Sequence, residues 1–354
     1  MNKICSIFIA FGLSLGLYQE LRILSFPHLE DGNSYAWFMF DAENRSDLVR
    51  QLPPNWKSRA VSYLMSGAWV DMWGRPDLSA AMVADPSGKF VMVWTPRKQH
   101  DASVVIASYY ALIYFFICAM LVVFLKEPII PMLGLFASIL GCSPSSLIPY
   151  LMPWDLPTMA AWLAIFLAYR WLKEKPAASR PWIGLVIIII LGGLIKETVL
   201  VTTLFLFSAP WRWVYRVLTV IGIIICSQRL NWLISGASPA WVFSIKQGME
   251  SGVNSWNPLL LWPVLFANAG SLVLMPWLLW RRVRSHRDWP LLAVCGIFIV
   301  LQILNDLAWG FYNENRDWLE LAPIAWILIS ELLFQNQSGQ PTSKEIAGEM
   351  SPTT

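Results

Sequence analysis

Runs of apolar residues, broken at intervals by basic residues, prolines and tryptophans, fill the chain over 4–24 and again from residue 104 to residue 334. The run that organises the rest lies between Pro181 and Pro210. It is apolar over 182–195, is interrupted by Lys196-Glu197-Thr198, and is apolar again over 199–209. One bilayer crossing takes about 20 apolar residues, so this run is long for one pass and short for two. Lys173, Lys175 and Arg180 precede it, and Arg212 and Arg216 follow it. Basic residues gather on the cytoplasmic side, and here both ends carry them. The pattern predicts a helical hairpin with Lys196-Glu197 at its far tip. The alternative is a single long tilted span with a charge pair at mid-depth, where ionisable groups are costly and mark functional sites.

The same reading gives a first span over 4–24, behind Lys3. No small-x-small cleavage site follows it, so it reads as a span rather than a signal peptide. Residues 27–103 form a long polar outer region. Within it, 56–73 repeats apolar residues at helical spacing (Val61, Leu64, Met65, Ala68, Met72) and reads as a helix lying in the membrane interface. A turn signal at 85–88 leads into strand-like 90–94. Further spans are expected over 104–125, 129–142 (interrupted by Pro131), 158–172, 217–234, 259–280, 289–307 and 321–334. Outer loops fall at 143–157, 235–258 and 309–320, and the Ser/Thr/Gln/Gly-rich tail from 335 to 354 reads as disordered and cytoplasmic.

These segments describe an all-α polytopic membrane protein of about ten transmembrane helices, with a long first outer loop carrying interfacial helices. It is a single transmembrane domain over 1–334, multi-pass in a cell membrane, with both termini cytoplasmic. Lys126, Arg170, Lys173, Lys175, Arg180, Arg212, Arg216 and the arginines at 281–287 then fall inside, as basic residues prefer.

Composition sharpens the class. Charged residues make up 14% of the chain, against about 25% in soluble domains. Many of the 21 tryptophans sit where apolar runs end, as in interfacial aromatic belts. A formal charge of +3 with no basic-aromatic stripe gives no reason to expect nucleic acid. The five cysteines and three histidines are dispersed, without metal-ligand spacing or a disulfide framework. No dedicated metal site is evident, and whether a divalent metal is needed stays open.

If the hairpin is real, four sets of charged residues share the outer face: Glu30-Asp31, Asp155, Lys196-Glu197, and Glu314/Arg316/Glu320. Carboxylates at a membrane surface can deprotonate a hydroxyl, and cations beside them can hold a phosphate. Together these suit transfer of a group from a lipid phosphate.

The layout resembles the GT-C superfamily of polytopic glycosyltransferases that use polyprenyl-phosphate sugars. The residues that carry the resemblance are Glu30-Asp31 after the first span, Trp56-Lys-Ser-Arg59 leading into an interfacial helix, Trp154-Asp155-Leu-Pro157, Lys196-Glu197-Thr198 at a hairpin tip, and Asn313-Glu314-Asn-Arg316. The resemblance implies an enzyme moving a sugar from a polyprenyl-phosphate donor to an envelope glycan, lipid or protein acceptor. It implies Asp31, with Glu30 beside it, as general base. It implies Lys196 and Arg316 on the donor phosphate, with Glu197, Glu314, Arg59 and Asp155 completing the site.

Each residue also has a plain structural reading. Asp31 can cap a helix, and Asp155 can cap the one expected to start near 158. Lys196-Glu197 can be a solvated loop tip. Glu314 and Arg316 can form a local ion pair worth little, and Arg59 can snorkel from its interfacial helix. A lipid-linked-sugar flippase or other transporter, and a non-catalytic membrane assembly subunit, are the competing functions.

Overall fold

The structure is a computed structural model that describes residues 3–24, 59–73, 81–84, 90–93, 96–140, 154–174, 180–235, 275–286, 288–309 and 319–338. In chain order the elements are α1 (Lys3–Leu24), α2 (Ala60–Met72), β1 (Ala81–Ala84), β2 (Phe90–Val93), α3 (Pro96–Phe124), α4 (Ile129–Leu140), α5 (Asp155–Glu174) and α6 (Arg180–Ile195). A 3-10 helix, η1 (Glu197–Ser208), comes next, then α7 (Trp213–Ser235), α8 (Met275–His286), α9 (Trp289–Trp309) and α10 (Ala322–Ser338). Stretches of α1, α3 and α7 are long and apolar enough to cross a membrane. Shorter apolar stretches lie in α4, α6, η1, α9 and α10.

The all-α expectation needs one amendment. β1 and β2 pair antiparallel, with Ala81 opposite Val93 and Ala84 opposite Phe90. The strand predicted near 90 is therefore present, and the turn expected at 85–88 lies outside the described residues.

Helix α5 is the centre of the bundle. Leu156, Met159, Trp162, Leu163, Ile165, Phe166 and Tyr169 are all buried, so the helix is enclosed on nearly every side, as a core helix must be. It packs against α3, α6, η1 and α10. Helix α1 lies along α3, and its outer face leaves Ile4, Phe8, Phe11 and Leu15 exposed. Helix α2 is amphipathic in an inverted sense. Ser62, Ser66 and Val70 face the protein, whereas Leu64 and Met72 are 50% and 75% exposed. Its apolar stripe thus points away from the bundle.

Several expected boundaries shift for identifiable reasons. Pro131 does not interrupt α4; it is the third residue, in the first turn, where an amide hydrogen has no helical acceptor. Pro157 holds the same position in α5, so that helix begins at Asp155 rather than near 158. Helix α3 starts at Pro96, inside the region expected to be loop. Helix α10 continues to Ser338, so the first residues of the expected disordered tail are helical.

Between Arg180 and Ser208 the chain forms the hairpin. Trp182 near the start of α6 meets Trp211 just beyond η1, with ring centroids 6.4 Å apart. One long tilted span could not bring those rings together. Gly192 and Gly193 lie where the two arms pack: a Cβ on either would come within 2.6 Å of the Val199 or Leu200 side chain respectively, which would have to shift to admit it. Lys196 makes the turn in a single extended residue, at φ −152° and ψ 137°.

The returning arm is 3-10 for reasons visible in its residues. Thr198, Val199, Val201, Thr202 and Thr203 are β-branched and poor α-formers. Thr202 and Thr203 donate to the carbonyls three residues back, at 2.6 and 2.7 Å. Burial follows the threefold repeat this geometry imposes. Val199, Thr202 and Phe205 are buried, as are Leu200, Thr203 and Leu206, while the column Thr198, Val201, Leu204 and Phe207 lies outermost.

Candidate functional site

At the tip, the carbonyls at the end of α6 are met by neighbouring side chains. Ser62 Oγ of α2 donates to Ile195 O at 3.2 Å, and Asn231 Nδ2 of α7 donates to Gly193 O at 3.4 Å. These contacts fix the frame from which Lys196 and Glu197 project.

Lys196 is not a solvated tip. Its Nζ lies 2.7 Å from Glu320 Oε1, and the two side chains are only 4% and 2% exposed. Thr198 Oγ1 donates to the other carboxylate oxygen of Glu320 at 2.6 Å. Burying two charges costs several kcal/mol per ion before their attraction and hydrogen bonds offset it. Such a pair is therefore poorly explained as a means to stability, and in an apolar chain it marks a place where charge is wanted.

Glu197, the next residue, turns the other way. Arg59 Nη2 donates to its Oε1 at 2.7 Å, and Arg59 Nε reaches Oε2 at 3.4 Å. The guanidinium lies over the Trp154 ring, 4.4 Å from its centroid. Arg59 is therefore a stacked, bidentate arginine and does not simply snorkel. Trp154 is buried at the start of α5, and Asp155 beside it is buried in the first helical turn rather than serving as a cap near 158.

Four of the residues expected from sequence thus meet at one end of the bundle: Arg59, Asp155, Lys196 and Glu197. Glu30, Asp31, Glu314 and Arg316 lie outside the described residues. Glu320, grouped from sequence with the outer-face charges but given no role, is the partner that holds Lys196. Its sequence signal is its position as the last acid before the final apolar run. Trp154 and Thr198 carried no chemical signal of their own. Among the described residues, no group of three or more His, Cys, Asp or Glu side chains could hold a metal ion.

A second polar cluster closes the far end. Tyr169 Oη donates to Asp288 Oδ1 at 2.6 Å, and Lys173 Nζ lies 3.0 Å from Asp288 Oδ2. Arg170 pairs with Glu331 nearby on α5 and α10. Between the two ends the interior is filled with rings: Trp162 against Phe298 at 5.1 Å, and Tyr169 stacked on Phe205 at 4.2 Å. Asp288 ties α5 to the start of α9 and orients the Tyr169 hydroxyl. Asp288→Ala is expected to destabilise the fold by about 1–3 kcal/mol through the buried hydroxyl it leaves under-satisfied. Thermal unfolding in detergent measures this, and the charge cluster at the opposite end should be unaffected.

Comparison with protein-family models, with curated proteins and with solved structures returns no match to this chain.

Proposed function

We propose that the chain is a membrane glycosyltransferase of GT-C type, moving a sugar from a polyprenyl-phosphate donor to an envelope glycan, lipid or protein acceptor on the outer face of the cell membrane. The supporting observation is the meeting of Arg59, Asp155 and Lys196-Glu197, distant in sequence, at one end of the bundle beside a helix whose apolar stripe faces outward. In this reading Asp31, with Glu30, is the general base for the acceptor hydroxyl, and Arg59, Lys196 and Arg316 attend the donor phosphate. Glu320 and Thr198 are positioning residues that hold Lys196 in place. The rings packed between the two ends favour a centre open at one end over a flippase, which needs a path through the bundle.

The test is transfer from a polyprenyl-phosphate sugar by purified protein, with Asp31→Asn as the diagnostic variant. Loss of transfer with donor binding intact is expected; unchanged transfer removes Asp31 from the mechanism. Cysteine labelling at 31 and 197 checks the shared face, and labelling from opposite sides of the membrane would sink the reading.

A further inference from the structure

We propose that the Arg59 guanidinium is a binding site for the phosphate of an amphipathic lipid, and that the chain keeps it occupied with its own Glu197 carboxylate until the ligand displaces it. The inference rests on reading this end of the bundle as the donor site, and it identifies which cation the phosphate meets first.

Lys196 is enclosed, with its charge already matched by Glu320. A phosphate reaches it only as the tip repacks, and so after it has met Arg59. Arg59 and Glu197 differ, with side chains 14% and 35% exposed. The guanidinium lies over the Trp154 ring, and its donor edge faces Glu197. Two roughly parallel N–H···O bonds to a carboxylate are the same contact that an arginine makes with two phosphate oxygens. Glu197 therefore stands where a phosphate would stand.

Charge and accessibility favour exchange. Among the described residues at this end, Arg59 and Lys196 face three acids, Glu197, Glu320 and Asp155, so the closed tip offers no net attraction to an anion. Once Glu197 swings away, the Arg59 edge that it occupied is open to a phosphate. Glu197 is the more exposed partner, and a phosphate that takes its place restores the two-pronged contact that its departure breaks. The lipid source follows from position. Arg59 immediately precedes α2, and the outward stripe of that helix (Leu64, Met65, Met72) suits burial at the boundary of headgroups and acyl chains. That places the guanidinium at phosphate depth.

The experiment is calorimetric titration of the full chain in uncharged detergent micelles, with farnesyl phosphate in one arm and inorganic phosphate in the other. Glu197→Gln is expected to bind farnesyl phosphate about fivefold or more tightly than the unaltered chain, because the competing carboxylate charge is gone. Glu197→Ala should behave alike. Arg59→Ala should lose binding, and Arg59→Lys, which keeps the charge without the fork, should bind several-fold more weakly. Inorganic phosphate should follow the same order at lower affinity throughout. Binding by the unaltered chain that Glu197→Gln leaves unchanged or weakens overturns the internal competitor while the donor-site reading stands. Binding that survives Arg59→Ala overturns the site. Inorganic phosphate binding as tightly as farnesyl phosphate overturns the lipid source, and binding of neither probe by any variant overturns both this inference and the donor-site reading.

Discussion

Lys196→Met alone is expected to destabilise the protein by about 3–5 kcal/mol, because it strands the buried Glu320 carboxylate without its cation. Glu320→Leu alone should cost a similar amount, since it leaves the Lys196 ammonium enclosed and Thr198 without its acceptor. The double variant should recover most of the loss, because two apolar side chains of similar volume carry no desolvation penalty. Thermal unfolding of the four proteins in one detergent completes the cycle, and the double variant should lose far less than the sum of the two single losses, which is the signature of strong coupling between the positions. The cycle also separates structure from function. If Lys196 only holds the hairpin tip, the double variant regains both stability and transfer. If its charge serves the donor phosphate, stability returns and transfer does not.

A methyl group added at Gly134 should be nearly as damaging, at a site remote from any chemistry. The indole of Trp326 lies flat on the backbone at Gly134, so that a Cβ there would fall inside the ring. Trp326 is also fixed at its edge, since Nε1 donates to Ser138 Oγ at 3.0 Å and Ser138 in turn donates to Gly134 O. The ring therefore cannot slide aside without breaking that chain of bonds. Gly134→Ala is expected to cost about 3 kcal/mol, the upper end of the usual range for overpacking. The loss should appear as earlier separation of α4 from α10 in hydrogen exchange. Adding Trp326→Leu should relieve the clash in part, and equal instability of the single and double variants would show that the crowding lies elsewhere.

The hairpin was legible in the sequence because one charge pair interrupts an otherwise unbroken apolar run and basic residues flank both its ends. The burial of that pair was not legible. Lys196 depends on Glu320, and Glu197 depends on Arg59, 138 residues away; nothing in local composition encodes either pairing. Arg59 read as an interfacial arginine because its carboxylate and its aromatic platform come from other elements. Prolines misled the boundaries at Pro131 and Pro157, since a first-turn proline and a helix-breaking one look alike until the start of the helix is known. The 3-10 arm was hidden by its own hydrophobicity. Where nearly every residue is apolar, no period of polarity remains to tell a repeat of three from one of 3.6.

That arm also sets the length of the hairpin. With a rise of about 1.5 Å per α-helical residue, the 16 residues of α6 extend about 24 Å. At about 2.0 Å per residue, the 12 residues of η1 cover the same distance. Two strokes of unequal residue count thus finish level, which is what lets Trp182 and Trp211 meet. Wound as an α-helix, the return would stop about 6 Å short. The linker at 209–212 would be drawn inward, and Arg216 would lose its hold on the carbonyls of Phe207 and Trp211. Backbone geometry alone therefore sets the reach of the returning arm, and twelve residues match the span of sixteen.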